Sequence, residues 1–306
     1  MKTKLLLPIL FVAAVAIGLW MWKGKSPGST NLGQPALELT NEILAYGPRP
    51  PGSEALAKVK DHLAADLKAA GWETTLQEFE RDTPIGKVKF SNLRARLPVK
   101  GQETWARDVK GLICAHIDSK YYKDKKFLGA DDAASACAAI VEIGKHLTEN
   151  EPEQARQLEI VLFDGEEAFA EDMTILDGLY GSRYYANRWR TLPNKPKFGI
   201  LLDMVGHKDL TIRIPSDSPK HLAELMFEAA KKEGESSRFG TAPGPIMDDH
   251  LPLNLVGIPT IDIIGDFANK PWWHTPADNA ALISAESLDI SIRVTLRMLD
   301  ELLRKQ

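Results

Sequence analysis

The sequence predicts an α/β domain of three layers, a central mixed, mostly parallel sheet flanked by helices. Three observations lead there. Short, mostly apolar runs such as residues 158–163 alternate with longer segments of helical periodicity, the pattern of strands buried on both faces between crossover helices. Acidic and histidine motifs stand directly after those runs, as in His116-Ile-Asp118, Phe163-Asp-Gly-Glu166-Glu167 and Leu202-Asp203, and ligands in such folds collect beyond the carboxyl ends of the strands. Finally, 306 residues with 44% hydrophobic and 26% charged side chains are enough for a proper core.

The elements follow in order. Lys2 and Lys4 precede an uncharged stretch over residues 5–22, and Lys23 and Lys25 follow it. Eighteen residues as a helix span roughly 27 Å, close to a bilayer core, and Trp20 and Trp22 suit an interface. Residues 1–25 are therefore read as a membrane anchor, with a cleaved signal segment as the alternative. No Ala-x-Ala site follows Trp22 to favour cleavage, and Ala14-Val-Ala16 lies too deep in the apolar stretch. The leader is similar to export signals, which puts the rest of the chain outside the cytoplasm, anchored, or secreted if the leader is cleaved. Residues 26–35 form a Gly/Pro/Ser/Asn tether, and residues 36–306 form one α/β domain. There Ser53 caps a helix with Leu56, Val59, Leu63 and Leu67 on one face, ended by Gly71. Strands are expected at 72–79 and 87–96, joined by a turn around Pro84-Ile-Gly86. Further strands are expected at 109–115, 158–163, 198–202 and 260–264, and helices at 133–147, 219–232 and 284–303.

Chemistry concentrates at the strand ends. Glu166-Glu167 is the sharpest element, because two adjacent carboxylates point in different directions. One can ligate a metal while the other faces a substrate as base. The bland alternative, a solvated acidic pair, fits poorly with the flanking Phe163 and Phe169. Asp132 heads a helix, where plain capping competes with ligation. Asp203 could be a turn residue, and His116 and His274 could be packed core histidines. Taken singly, each is weak. Together, carboxylates and imidazoles on strand-end loops are the material of a zinc site. His62, His146 and His221 fall on helices and read as surface or packing residues. A net charge of −4, with no Lys/Arg block interleaved with aromatics, argues against a nucleic-acid partner.

At this point the chain resembles the glutaminyl cyclases, the glutaminyl-peptide cyclotransferases related to co-catalytic zinc aminopeptidases. The motifs that carry the resemblance are Arg49-Pro-Pro-Gly52, Phe90-Ser-Asn92, His116-Ile-Asp118-Ser-Lys120-Tyr121, Gly129-Ala-Asp131-Asp132, Phe163-Asp-Gly-Glu166-Glu167, Leu179-Tyr-Gly-Ser-Arg183, Asp248-Asp-His250-Leu-Pro252 and Trp273-His-Thr-Pro-Ala-Asp278. The resemblance implies a zinc-aminopeptidase-like fold and one Zn2+ held by Asp132, Glu167 and His274. It implies Glu166 as general acid/base, with Asp203 and Asp248 hydrogen-bonding around it, and Trp273 as a wall of the substrate pocket. His116 and Asp203 would hold a second zinc if the chain were an aminopeptidase. The substrate implied is the N-terminus of a peptide or protein whose glutamine becomes pyroglutamate with release of ammonia, the rest of the peptide lying in solvent. A zinc aminopeptidase and a non-catalytic peptide-binding domain are the alternatives. The chain departs from the animal-type cyclases at Ala133, Asp172, Met247 and Asp262, where those carry Ser, Trp, Gln and His. Cys137 matches half of a disulfide of that type. Cys114 stands one residue off its partner's place, a shift that turns a strand side chain to the other face and leaves both thiols free.

Overall fold

The computed structural model describes residues 31–304 apart from Ile175. The proposed anchor at 1–25 and the first half of the tether lie outside the described residues. Among those described, no helix is long and apolar enough to cross a membrane.

Eight strands fall into two sheets. β1 (Glu73–Thr83) and β2 (Gly86–Arg96) form an antiparallel hairpin. β2 then pairs antiparallel with β4 (Leu158–Phe163). From there the sheet is parallel, through β3 (Gly111–His116), β5 (Phe198–Asp203) and β8 (Thr260–Ile264). The order is β1-β2-β4-β3-β5-β8, and β6 (Ile212–Ile214) pairs with β7 (Phe239–Thr241) in a small second sheet. Every residue of β3, β4, β5 and β8 is buried, which is why these strands read as largely apolar runs.

Helices cover both faces. One core cluster joins one face of the sheet to α1 (Gly33–Ala45), α2 (Glu54–Ala69), α3 (Ala136–Asn150), α6 (Lys220–Lys232) and α8 (Ala285–Arg304). A short α4 (Pro152–Ala155) follows α3. The other face packs on α5 (Tyr180–Asn187) and α7 (His250–Leu255) through Tyr185, Ala186 and Leu253. Cys114 belongs to this second cluster and Cys137 to the first, and both thiols are free. The expected mixed, mostly parallel sheet between helical layers is the one observed.

Three expectations need correction. Helix α1 takes in Gly33, Gln34 and Pro35, which composition had assigned to the tether. Gly33 allows this because a Cβ there would meet the Ala285 carbonyl oxygen at 1.8 Å, so only glycine lets α1 start against α8. The helix expected from residue 133 starts at Ala136, after a π-type turn over Ala130–Ser135 in which Asp132 and Ala133 are not helical. The hairpin strand expected to end at residue 79 runs on to Thr83.

Candidate metal centre and active site

The loop after β4 is built around one carboxylate. Asp118, itself just past β3, is fully buried. Its Oδ1 accepts from the backbone N–H of Gly165 at 2.9 Å and Glu166 at 3.2 Å, and its Oδ2 from Glu167 at 3.3 Å. Gly165 has φ +84°, and a Cβ on it would meet the Phe90 ring at 2.5 Å. Asn92 Oδ1 accepts from Asp164 N while its Nδ2 donates to the Gly181 carbonyl, each at 3.0 Å. The turn carrying Asp132 is held similarly. Asp278 accepts from the Asp131 and Asp132 N–H groups at 2.8 and 3.3 Å. Buried Arg49 donates to the Ile117 and Gly129 carbonyls at 2.9 Å. His274 has φ +55°, a conformation costly for a side-chain-bearing residue. The Tyr122 hydroxyl donates to its carbonyl at 3.3 Å, and the Phe127 ring packs edge-on at 5.9 Å.

These supports converge two triads on one shared carboxylate. His274 Nε2 lies 3.5 Å from both Asp132 Oδ2 and Glu167 Oε1. His116 Nε2 lies 3.0 Å from Asp132 Oδ1 and 3.4 Å from Asp203 Oδ1. In each triad the potential ligand atoms lie within 4.8 Å of one another. Glu167 Oε1, Asp203 Oδ1 and His116 Nδ1 are buried without a hydrogen-bond partner. Buried carboxylate oxygens left in that state are costly, and one Asp, one Glu and one His are the donors a divalent cation such as zinc accepts. The donor set therefore fits a metal.

The sequence model of peptidase family M28 matches residues 92–299. The chain belongs to peptidase family M28. Similar proteins within reach of this M28 chain carry two kinds of description. It is 32% identical over 265 residues to a glutaminyl-peptide cyclotransferase-like protein of Mus musculus, a match that covers 76% of this chain and 66% of that protein's length. The crystal structure of an Acidobacteriales bacterium glutaminyl cyclase superposes with a TM-score of 0.79 at 31% identity, covering 92% of this chain and 98% of that one. A Zn-dependent exopeptidase from Parabacteroides distasonis superposes at 0.77 with 26% identity, covering 89% and 98%.

In this M28 chain a cavity of about 120 Å³ opens beside the shared triads. It is lined by Asp132, Glu166, Glu167, Asp203, Asp248, Trp273 and His274 among others. All the site residues expected from the sequence meet there except His116, which lies behind Asp132 and Asp203. Trp273 is half-buried and stacks between Phe267 at 4.8 Å and its neighbour His274 at 3.9 Å. Asp172 lines the mouth and is exposed. Burial pushes the Glu166 carboxyl well above its usual range. His116 opposes this, and the charges of Glu167, Asp248 and Asp249 add to it. Burial likewise raises Asp203 to about 7, against the pull of His116. Burial would raise Asp132 too, but the two imidazoles beside it more than offset that and hold it low. His274 goes up to about 9 despite burial, because Asp132 and Glu167 face it.

Sequence reasoning gave no role to several residues that the structure brings in. Lys120, nearly fully buried, sets its ammonium 3.5 Å from Glu167 Oε2 and 3.2 Å from the Ala168 carbonyl. Asp118, Asp278 and Arg49 build the loops. The available signal was a lysine and an aspartate set directly beyond an apolar strand. Asp262 pairs with His250 at 3.5 Å behind Asp248, so the position where a cyclase histidine was expected faces a histidine from the neighbouring helix instead.

Proposed function

We propose that the protein is a zinc-dependent glutaminyl-peptide cyclotransferase that turns the N-terminal glutamine of peptides into pyroglutamate and releases ammonia. The observation that carries this reading is the small cavity in which buried Glu166 stands beside the Asp132–Glu167–His274 triad and under Trp273. It suits one side chain entering end-on better than an extended peptide. Zinc held by Asp132, Glu167 and His274 would act as a Lewis acid on the glutamine side-chain carbonyl. Trp273 holds the methylene groups of the glutamine, so that the α-amine reaches the side-chain carbonyl carbon intramolecularly. As the new C–N bond forms, Glu166 takes a proton from the amine. It returns that proton to the side-chain nitrogen as the old C–N bond breaks and ammonia leaves. Asp203 and Asp248 line the same cavity as Glu166, and burial together with the charges of Glu167 and Asp248 favours the proton on Glu166. The neutral amine is the nucleophile, so the rate rises with pH through the α-amino range of about 7.7–8.0.

One observation favours a second reading. The two triads share Asp132, with His116 and Asp203 on its other side, as a bridged pair of metals requires. An aminopeptidase would use that arrangement, with Glu166 activating a water. Mass spectrometry of a Gln-initiated peptide separates the two. Loss of roughly 17 Da, one ammonia, supports cyclisation, whereas loss of a whole residue from several peptide types overturns it. Zinc per chain gives a parallel answer, one ion for the cyclase and two for the peptidase. We further propose an anchor over 1–25, a linker from residue 26 that gives way to helix α1 at Gly33 and not at residue 36, and an extracytoplasmic catalytic domain after it. Membrane fractionation with N-terminal mass mapping of the mature chain tests it, and a chain starting after residue 25 in the soluble fraction refutes the anchor.

A further inference from the structure

Asp262 stands in the middle of β8, in register with Leu201 of β5. Leu201 belongs to the cluster under α5 and α7, and register partners share a face of the sheet. Asp262 is fully buried there and lies carboxyl to carboxyl against Asp248, which lines the catalytic cavity just before α7. His250, the first residue of α7, closes the group, with Nδ1 3.5 Å from Asp262 Oδ2. All three side chains are buried. Both ring nitrogens of His250, both carboxyl oxygens of Asp262 and Asp248 Oδ2 have no hydrogen-bond partner among the described residues. Buried polar atoms left in that state are costly. Two buried carboxylates in contact require a proton or a cation between them.

The spacing favours the cation. A hydrogen bond would bring His250 to about 2.7–3.2 Å from Asp262. Donors about 2.0–2.2 Å from one zinc ion stand about 3.3–3.6 Å apart in a tetrahedron. His274 Nε2 keeps the same 3.5 Å from Asp132 and from Glu167. One donor atom from each of Asp248, His250 and Asp262 lies within 4.8 Å of the other two, as in the catalytic triads. We propose that Asp248, His250 and Asp262 hold a zinc ion of their own, on the side of Asp248 turned away from the catalytic cavity. Two carboxylates and one imidazole repeat the donor set of Asp132, Glu167 and His274. Of the three, Asp248 alone lines the cavity, so the ion enters past Asp248, touches no substrate and fixes the direction of that side chain. A histidine at position 262, as in the animal-type cyclases, would donate an N–H to Asp248 and need no ion. The ionised aspartate of this chain has no proton to give.

Zinc counting on the full-length chain tests the site. After equilibration with Zn2+ and removal of loose ions, the wild type should hold one zinc per chain more than Asp262→Asn, and one more than Asp262→His. Both replacements set an N–H against Asp248 in place of the ion, and thermal melting confirms that they are folded. His250→Gln removes the imidazole, leaves both carboxylates, and should lose the same ion. His274→Ala should keep this ion while losing the one at the catalytic centre, and adding Asp262→Asn to it should remove one zinc more. Equal counts in the wild type and Asp262→Asn would mean that a proton joins the two carboxyls, and would overturn the proposal. An unchanged count in His250→Gln is equally fatal to it. The difference requires no turnover. It stands whether or not Gln-initiated peptides are cyclised, and whether the catalytic centre holds one ion or two. That centre's own count is read in the Asp262→Asn chain.

Discussion

At the scale of single residues, the proposed mechanism assigns metal holding and proton transfer to different side chains. His274→Ala removes one of three donors from the Asp132–Glu167–His274 triad. It should lose bound metal and activity together, measured by metal analysis of the purified domain, and full metal occupancy in that variant would refute the assignment. Glu166→Gln keeps shape and hydrogen-bonding capacity but removes the proton acceptor. Metal content should stay at the wild-type level while turnover falls by about 10²–10⁴, and near-normal turnover in the metal-replete variant excludes the role. Because Glu166 and Glu167 are neighbours, Glu167→Gln is the informative contrast and should lower metal content first.

At the scale of elements, the site depends on how tightly a few loops are tied. Asp118 receives three backbone N–H groups from the β4 loop. Asp118→Ala leaves those donors buried without acceptors, at about 1–3 kcal/mol, and frees the segment that aims both glutamates. Lower denaturation midpoints and a turnover loss with native metal content below one ion per chain are the expected outcomes, read by urea titration and metal analysis. The legibility of the elements follows the same physics. β4 and β8 were readable to the residue because full burial leaves each a largely apolar run, interrupted only by Glu159 or Asp262 inside it and closed by polar or glycine residues. Helix α2 was readable because Ser53 caps it, its hydroxyl accepting from Leu56 N at 3.1 Å. Helix α5 was missed. It opens at Leu179 with φ +53° and no side-chain cap, so nothing local announces it. Its place is set by Gly181, where a Cβ would meet Asn92 Oδ1 at 2.5 Å. In the site, the acids and imidazoles that the structure gathers around Asp132 were legible as strand-end residues. Those that hold them, Asp118, Asp278 and Arg49, act on backbone groups far away in sequence, and local pattern does not encode such partners.

At the scale of the whole molecule, one buried ion cluster ties the antiparallel hairpin to the parallel core. Glu159 on β4 accepts from Arg94 Nε at 2.6 Å and Arg96 Nε at 2.7 Å, both on β2. Burial would raise its carboxyl, but the two guanidinium groups outweigh that and hold it below the usual range. Its contribution to stability is therefore present above the unfolded value of about 4.3 and lost as pH falls through the lower folded value. Glu159→Gln leaves two buried cations short of their partner and should cost about 3–5 kcal/mol at pH 7. Its denaturation midpoint should also depend less on pH below about 4 than that of the wild type. Chemical denaturation at a series of pH values measures both.

The separation of Cys114 and Cys137 by the sheet bears on how the domain can be made. Each thiol is at most 1% exposed. Burial pushes Cys114 well up and Cys137 to about 12, so neither is a thiolate at neutral pH. Cys137 instead donates to the His116 carbonyl at 3.0 Å. Maturation thus has no oxidative step. The catalytic domain should reach the same melting temperature whether produced in a reducing cytoplasm or an oxidising compartment, and a phosphine reductant should leave that temperature unmoved. The compartment in which the chain matures and its chemistry of assembly are then independent of one another.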